Sequence, residues 1–353
     1  MSTGLLENIL TRTDTLLERF LRPPEDEQPV SFRQYLTDPR KILLIPGENL
    51  VDLLCLLDFI PLTLERFPLA ELLVLVHPEH AGLIENIPRV RPVTLSHRSP
   101  HTFDSVFRKT VAAFRLEKLD WALNLTESGR AETLLAYHSG AKIRIGLTND
   151  QDKRYYNLIV KSIPEKGNFF QKVSSLFQAF QIKGPYKSGQ SLFQLTDEER
   201  ARAEHFLKRR KSARSRGNFI GCALELRPNQ KKLERSLQVF IEGLIAHLDP
   251  LHLLIAETLV PVDIQRKWTN IKAYTYHFND MKQMIAVLTA CDKVITNSVG
   301  LACILGRLGA KVGLMIIDRE DISRLNQADM ANIQIISAED REFPIQQVIK
   351  FTH

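Results

Sequence analysis

The chain has little sulfur or metal-binding chemistry. Its four cysteines, Cys55, Cys222, Cys291 and Cys303, form no CxxC pair, and each stands in an apolar stretch. Such thiols are expected to be buried and free, which argues against a disulfide framework or a thiolate metal centre. The histidines include no HExxH pair, so no metal site is expected. No uninterrupted apolar run reaches the roughly 18 residues that would span a membrane. The N-terminus has no basic flank before a long apolar core, so no signal peptide is expected. The basic run Lys208, Arg209, Arg210, Lys211, Arg214 and Arg216 has no aromatic residues interleaved. It therefore reads as a solvated helix end and not as a nucleic-acid stacking surface. These absences leave a cytoplasmic protein with no metal, no cofactor and no nucleic-acid partner as the expectation.

The 353 residues suffice for two domains of ordinary size. A net charge of +6 suits phosphates or an anionic membrane surface. Leu5, Leu6, Ile9, Leu10, Leu16, Leu17, Phe20 and Leu21 recur at helical spacing before Pro23-Pro24. Residues 1–40 thus read as a helical extension. Its apolar stripe would pack on the body, on a second copy or in a membrane interface.

From Lys41 the pattern alternates. Strands are expected at Lys41–Ile45, Leu72–Val76, Val90–Leu95, Trp121–Leu125 and Ile143–Gly146. Helices are expected at Leu50–Arg66, His80–Asn86, Phe103–Leu116, Ala131–His138 and Phe169–Phe180. After a linker at 183–189 the alternation resumes. Helices are expected at Thr196–Lys211, Ser236–His247, Met281–Cys291 and Ile345–Phe351. Strands are expected at Phe219–Leu224, Leu251–Ala256, Lys272–Tyr274, Val312–Ile317 and Ile333–Ser337. Thr196 and Glu199 have the spacing of a capping box. Strands alternating with helices predict parallel sheets covered on both faces, hence an α/β protein of two units. Ligands of such sheets bind beyond the carboxyl ends of the strands, and with two units the expected site is a central cleft.

The stretch Ala290–Met315 organises the second unit. Val294 and Ile295 end a buried strand, Thr296–Gly300 reads as a tight turn, and Leu301–Leu308 reads as a helix. Backbone N–H groups at such a helix start can hold a phosphate or carboxylate. The same pattern also fits an ordinary strand-to-helix turn.

Four places along the chain carry a resemblance. KILLIPGENLVDLL, running to Phe67-Pro68, places Asp52 at a helix start. DWALNLTESGRAETLLAYHSGAKIRIGL contains Gly140, Ala141, Ile145 and Gly146. FIGCALELRPNQKKLERSL delivers Lys231 and Lys232 after a strand. Ala290–Gly309 contains Asn297, Gly300, Leu308 and Gly309. From about Lys41 to Phe351 the sequence resembles the ADP-heptose:lipopolysaccharide heptosyltransferases, glycosyltransferase family nine. The resemblance implies a GT-B fold, two Rossmann-like domains facing a cleft, here 41–186 for the acceptor and 187–353 for the nucleotide-sugar donor.

It also implies an inverting transfer. Asp52 falls on the family's catalytic aspartate and would take the acceptor proton. Lys231, with Lys232 or Arg227 beside it, would hold the donor phosphates, and Asn297, Ser298 and Gly300 would line the donor site. Glu48 would stand near the acceptor. The implied partners are a nucleotide-sugar donor, ADP-heptose by the resemblance, and a lipid-linked or oligosaccharide acceptor at the inner face of a bacterial inner membrane. The chain departs from the family phrase at Val51, Ser298, Val299, Leu301 and Cys303. Ala256-Glu257 replaces a Gly-Gly pair. These departures define an alternative, a catalytically silent homologue that binds or scaffolds in envelope glycan assembly.

Overall fold

The computed structural model describes residues 36–47, 49–95, 104–126, 129–147, 155–160, 169–182, 193–210, 219–224, 239–244, 246–247, 253–256, 275–276, 278, 280–316, 331–337 and 345–352. The apolar stretch up to Leu21, the linker at 183–189, Glu48, Arg227, Lys231 and Lys232 lie outside them. The described residues form two compact units. The first holds residues 36–47, 59–160 and 171–182, and the second holds 49–58, 169–170 and 193–352.

The first unit is a parallel sheet of β1 (Lys41–Ile45), β2 (Glu71–Val76), β3 (Val90–Thr94), β4 (Trp121–Asn124), β5 (Ile143–Leu147) and β6 (Leu158–Val160). Its spatial order is β3-β2-β1-β4-β5-β6. Ile42 to Ile45 and Leu72 to Val76 are buried, as expected of strands covered on both faces. The connecting helices are α1 (Leu50–Arg66), α2 (Ser105–Glu117) and α3 (Arg130–His138), and α4 (Phe169–Ala179) follows the sheet. On one face Phe107, Val111 and Phe114 of α2 pack with Leu134 and Leu135 of α3 over Leu43, Leu73 and Ala122. Phe59 stacks on Phe177 at 4.6 Å, and Trp121 contacts both Phe67 and Phe180.

The second unit repeats the topology. After α5 (Asp197–Arg210) come β7 (Ile220–Ala223), β8 (Leu253–Ala256), β9 (Thr275–Tyr276), α6 (Met281–Thr289), β10 (Lys293–Thr296), α7 (Val299–Arg307), β11 (Val312–Ile316), β12 (Ile333–Ser337) and α8 (Ile345–Thr352). The sheet order is β12-β11-β10-β7-β8-β9, all parallel. Numbered within its own unit, each sheet therefore has the Rossmann order 3-2-1-4-5-6, with its switch point between the first and fourth strands. Those pairs are β1/β4, where Ile45 faces Asn124, and β7/β10, where Ala223 faces Thr296.

Local chemistry sets the boundaries. The Thr196–Glu199 capping box forms as expected. Thr196 N–H donates to Glu199 Oε2 at 2.8 Å, and Glu199 N–H donates to Thr196 Oγ1 at 3.2 Å. Asp280 caps α6 through the Gln283 N–H at 2.6 Å. All four cysteines are free and buried. One expectation is corrected and one strand was missed. Pro78 opens a 3-10 turn over Pro78–Leu83 in place of the helix His80–Asn86, because a proline at the first position suits a tight helical start. The half-buried β6 was not anticipated. The strand expected at Lys272–Tyr274 falls outside the described residues, and the pairing seen is Thr275–Tyr276 with Ile255–Ala256.

His138 ends α3 inside the core, against Phe107 and Tyr137. Its Nε2 finds no hydrogen-bond partner among the described residues. Burial, with the Arg115 charge nearby, lowers its pKa from 6.5 to about 4. The folded state therefore binds this proton less readily than the unfolded chain. Stability is intact above about pH 6.5 and is lost as pH falls from there toward 4. Between pH 7 and pH 5 His138 should cost the fold about 2 kcal/mol. Denaturant titrations at the two pH values measure this loss, and His138→Phe should flatten it. The window lies above the usual carboxylate range, so acidic groups contribute little to the difference. An unchanged slope in the variant would remove His138 as the cause.

Candidate functional site

The site is built from two helix starts. In the second unit β10 ends at Thr296, which is fully buried. Its Oγ1 accepts the Ser298 N–H at 3.1 Å, a short hydroxyl turn that closes the strand-to-helix corner. Ser298 is the N-cap of α7. Its backbone is extended, its carbonyl accepts the Ala302 N–H at 2.9 Å, and its side chain makes no capping bond. The helix thus begins at Val299, two residues before the expected Leu301. Gly300 is a helical residue there, not part of a turn. Asn297 and Ser298 are half-buried at the carboxyl end of the sheet's switch-point strand.

The second helix start is that of α1. Asn49 O accepts the N–H groups of Asp52 and Leu53 at 3.1 and 3.4 Å. Asn49 Nδ2 reaches Asp52 Oδ2 at 3.4 Å. Asp52 occupies the first turn of α1 and is only 7% exposed. A carboxylate at this position is favoured by the partial positive charge of the helix N-terminus.

Gly300 brings the two starts together. The segment Asn49–Asp58 belongs with the second unit. A Cβ at Gly300 would stand 2.7 Å from Leu50 Cβ and 2.8 Å from the Val51 backbone nitrogen. Only a residue without a side chain permits this approach. The first turns of α1 and α7 therefore abut, and their unpaired N–H groups and dipole ends gather in one neighbourhood. Farther along the same helices, Arg307 forms a two-pronged ion pair with Asp58, Nη1–Oδ1 at 3.0 Å and Nη2–Oδ2 at 3.1 Å.

The structure thus groups the Asp52 turn with Asn297, Ser298 and Gly300. Lys231 and Lys232 lie outside the described residues. Val299, Leu301 and Cys303, which depart from the family phrase, are all buried. Those side chains pack inside the unit. Asp58 and Arg307 were not singled out in the sequence. The one available signal was an acidic residue within the apolar run Leu53–Ile60.

A further polar cluster sits at the carboxyl end of β4 in the first unit. Asn124 Nδ2 donates to Tyr156 OH at 2.7 Å, and the Thr126 N–H and hydroxyl both donate to Asn124 Oδ1. Tyr156 OH donates to Thr133 Oγ1 at 3.0 Å. The Tyr156 ring lies where a Cβ on Gly146 would meet it at 2.8 Å, which accounts for the glycine at that position.

Two Rossmann-type sheets in tandem define a class, and the fold is GT-B. The solved structures this chain is similar to agree. A glycosyl transferase family 9 protein from Veillonella parvula DSM 2008 aligns with a TM-score of 0.60 at 12% identity, over 86% of this chain and 87% of that one. E. coli ADP-heptose lps heptosyltransferase II aligns with a TM-score of 0.60 at 13% identity, over 88% and 96%. E. coli heptosyltransferase WaaC with ADP-2-deoxy-2-fluoro heptose gives 0.59 at 13% identity, over 89% and 100%. No protein-family model and no curated protein sequence matches the chain. The resemblance read from the sequence is therefore matched at the level of fold.

Gly300→Ala tests the geometry directly. Because the added methyl meets backbone, one helix must shift, and the cost should be about 1–3 kcal/mol. Denaturant unfolding of the variant measures it. A variant as stable as the parent would mean that the two helix starts are not in contact.

Proposed function

We propose that the chain is a metal-independent, inverting glycosyltransferase of the heptosyltransferase type. It moves a sugar from a nucleoside diphosphate, with ADP-heptose the leading candidate, to a lipopolysaccharide-core or related glycan acceptor. The observation that carries this reading is the abutment of the Asp52 turn with the Ser298–Gly300 helix start on a GT-B fold.

In this reading residues 41–186 receive the acceptor, 187–353 hold the donor, and 1–40 form an extension. Asp52 takes the proton from the acceptor hydroxyl as its oxygen attacks the anomeric carbon. The bond from that carbon to the diphosphate oxygen breaks, and the nucleoside diphosphate leaves with the bonding electrons. Base catalysis of this kind contributes roughly 10²–10⁴-fold. Charge growing on the leaving phosphates is met by Lys231, with Lys232 beside it, and by the N–H groups at the start of α7. Asn297 and Ser298 supply polar contacts to the donor. Among the described residues no helix is long and apolar enough to cross a membrane. The basic chain and its amphipathic N-terminal stretch suit peripheral work on a lipid-linked acceptor, at the cytoplasmic face of a bacterial inner membrane.

A second reading is favoured by one observation. Cys303, which stands where the family phrase has histidine, is 1% exposed and cannot reach a ligand. A silent homologue that binds or scaffolds in glycan assembly would tolerate that loss.

Calorimetric titration with ADP, UDP, GDP and their sugar conjugates, without added metal, separates the two. The transferase reading expects one nucleotide to bind, Lys231→Ala to weaken it at least tenfold, and Asp52→Ala to keep binding within about threefold while transfer falls 10²-fold or more. A folded protein that binds none of them would establish the second reading instead.

A further inference from the structure

Two contacts join α1 to α7 within the second unit. At the N-terminal end, Gly300 lies against Leu50 and Val51. At the other, Arg307 grips Asp58, with side-chain exposures of 7% and 20%. Val51 and Asp58 are seven residues apart, and so are Gly300 and Arg307. Seven residues make close to two helical turns, so each pair lies on one stripe of its helix. The contacts are matched in order, start with start and end with end. The helices therefore run side by side in the same direction, held at two points two turns apart.

The second point is suited to fixing geometry. A guanidinium fork on a carboxylate is directional in a way that an ammonium is not. A slide of one helix by a turn would separate Arg307 from Asp58 and lift Gly300 off Val51 together. Asp52 follows Val51 by one residue, so both its height along α1 and its rotation about the axis follow from this stripe.

We infer that Asp58 and Arg307 are positioning residues for Asp52, setting its carboxylate against the start of α7. The inference rests on the proposed transferase reading for its catalytic consequence. It adds two residues, one late in each helix, that touch neither substrate nor reacting atoms. The pair lies two turns from the helix starts and acts through helix register.

The test uses the full-length chain with Asp58→Asn and Arg307→Lys, each close in size to the parent residue. Hydrogen exchange of peptides 50–57 and 299–306 is followed by mass spectrometry beside initial-rate kinetics. Either variant should speed exchange in both peptides about tenfold and leave the sheet peptides of both units unchanged. Transfer should lose tenfold or more in kcat, with the donor KM within twofold. Arg307→Lys keeps the charge and loses the fork. If it behaves as the parent does, charge alone suffices and positioning by the fork is overturned. Unchanged exchange, or faster exchange with kcat unmoved, overturns the inference as well. If the folded parent chain transfers no sugar, the transferase reading fails and takes the catalytic role of the pair with it. The exchange data then still decide whether Asp58 and Arg307 fix the register of the two helices.

Discussion

The arrangement depends on one close approach, the backbone of α7 at Gly300 against the backbone of α1 at Leu50 and Val51. Any side chain at position 300 would hold the helices apart. Because they touch, the first ten residues of the α1 region belong with the second unit, and Asp52 is carried there. Two helix starts then share one neighbourhood. Each contributes N–H groups that its own helix leaves unpaired and a partial positive charge. An anion is the natural guest of such a place. A phosphate group held beside the Asp52 carboxylate would call for added cations. On the proposed reading Lys231 and Lys232 meet that need.

The opposite edge of the first sheet shows what charge does when no ligand is involved. Lys41, Glu71, Arg91 and Glu117 form a closed set at the amino ends of β1, β2 and β3 and the end of α2. Lys41 and Arg91 hold Glu117 below the ordinary carboxylate range. Every sign is balanced within that group. Beyond the carboxyl end of β1, Asp52 is buried and takes a hydrogen bond from the Asn49 amide, and in the second unit Ser298 caps α7 through its backbone. The two edges of a doubly wound sheet commonly divide in this way, one serving stability and the other ligands.

Much of the fold was legible in the sequence, because strands such as KILLI and ELLVLV are apolar throughout and helices such as α5 announce their starts with Thr196 and Glu199. The misses have physical causes. β6 has three half-buried residues at a sheet edge, too few to show a period. The start of α7 was placed late because Thr296, Ser298 and Gly300 look like a turn by composition. Gly300 is present for contact with another helix, a reason that composition does not reveal. Asp58 and Arg307 are 249 residues apart, and neither carries a local pattern that points to the other. At the site, Asp52, Asn297, Ser298 and Gly300 were legible as residues at helix starts. That the two starts meet was not.

The same contact bears on how the family phrase should be weighed. Its retained glycine, Gly300, is required by packing and would be kept by an active enzyme and by a silent homologue alike. Its lost positions, Val299, Leu301 and Cys303, are interior, so their change alters the packing of α7 more directly than its surface. The glycine does not separate the two readings, and of the lost positions only Cys303 bears on the second. Asp52 separates them better. An acidic residue in the first turn of a helix ordinarily stands in water, where it favours the helix at little cost. Burying that carboxylate costs several kcal/mol unless hydrogen bonds and opposite charge repay it. The helix start and the Asn49 amide repay part of that cost, and the dipole alone would be served as well by an exposed carboxylate. A base that must take a proton beside a departing phosphate has a use for a carboxylate held there, shielded from water and fixed in direction.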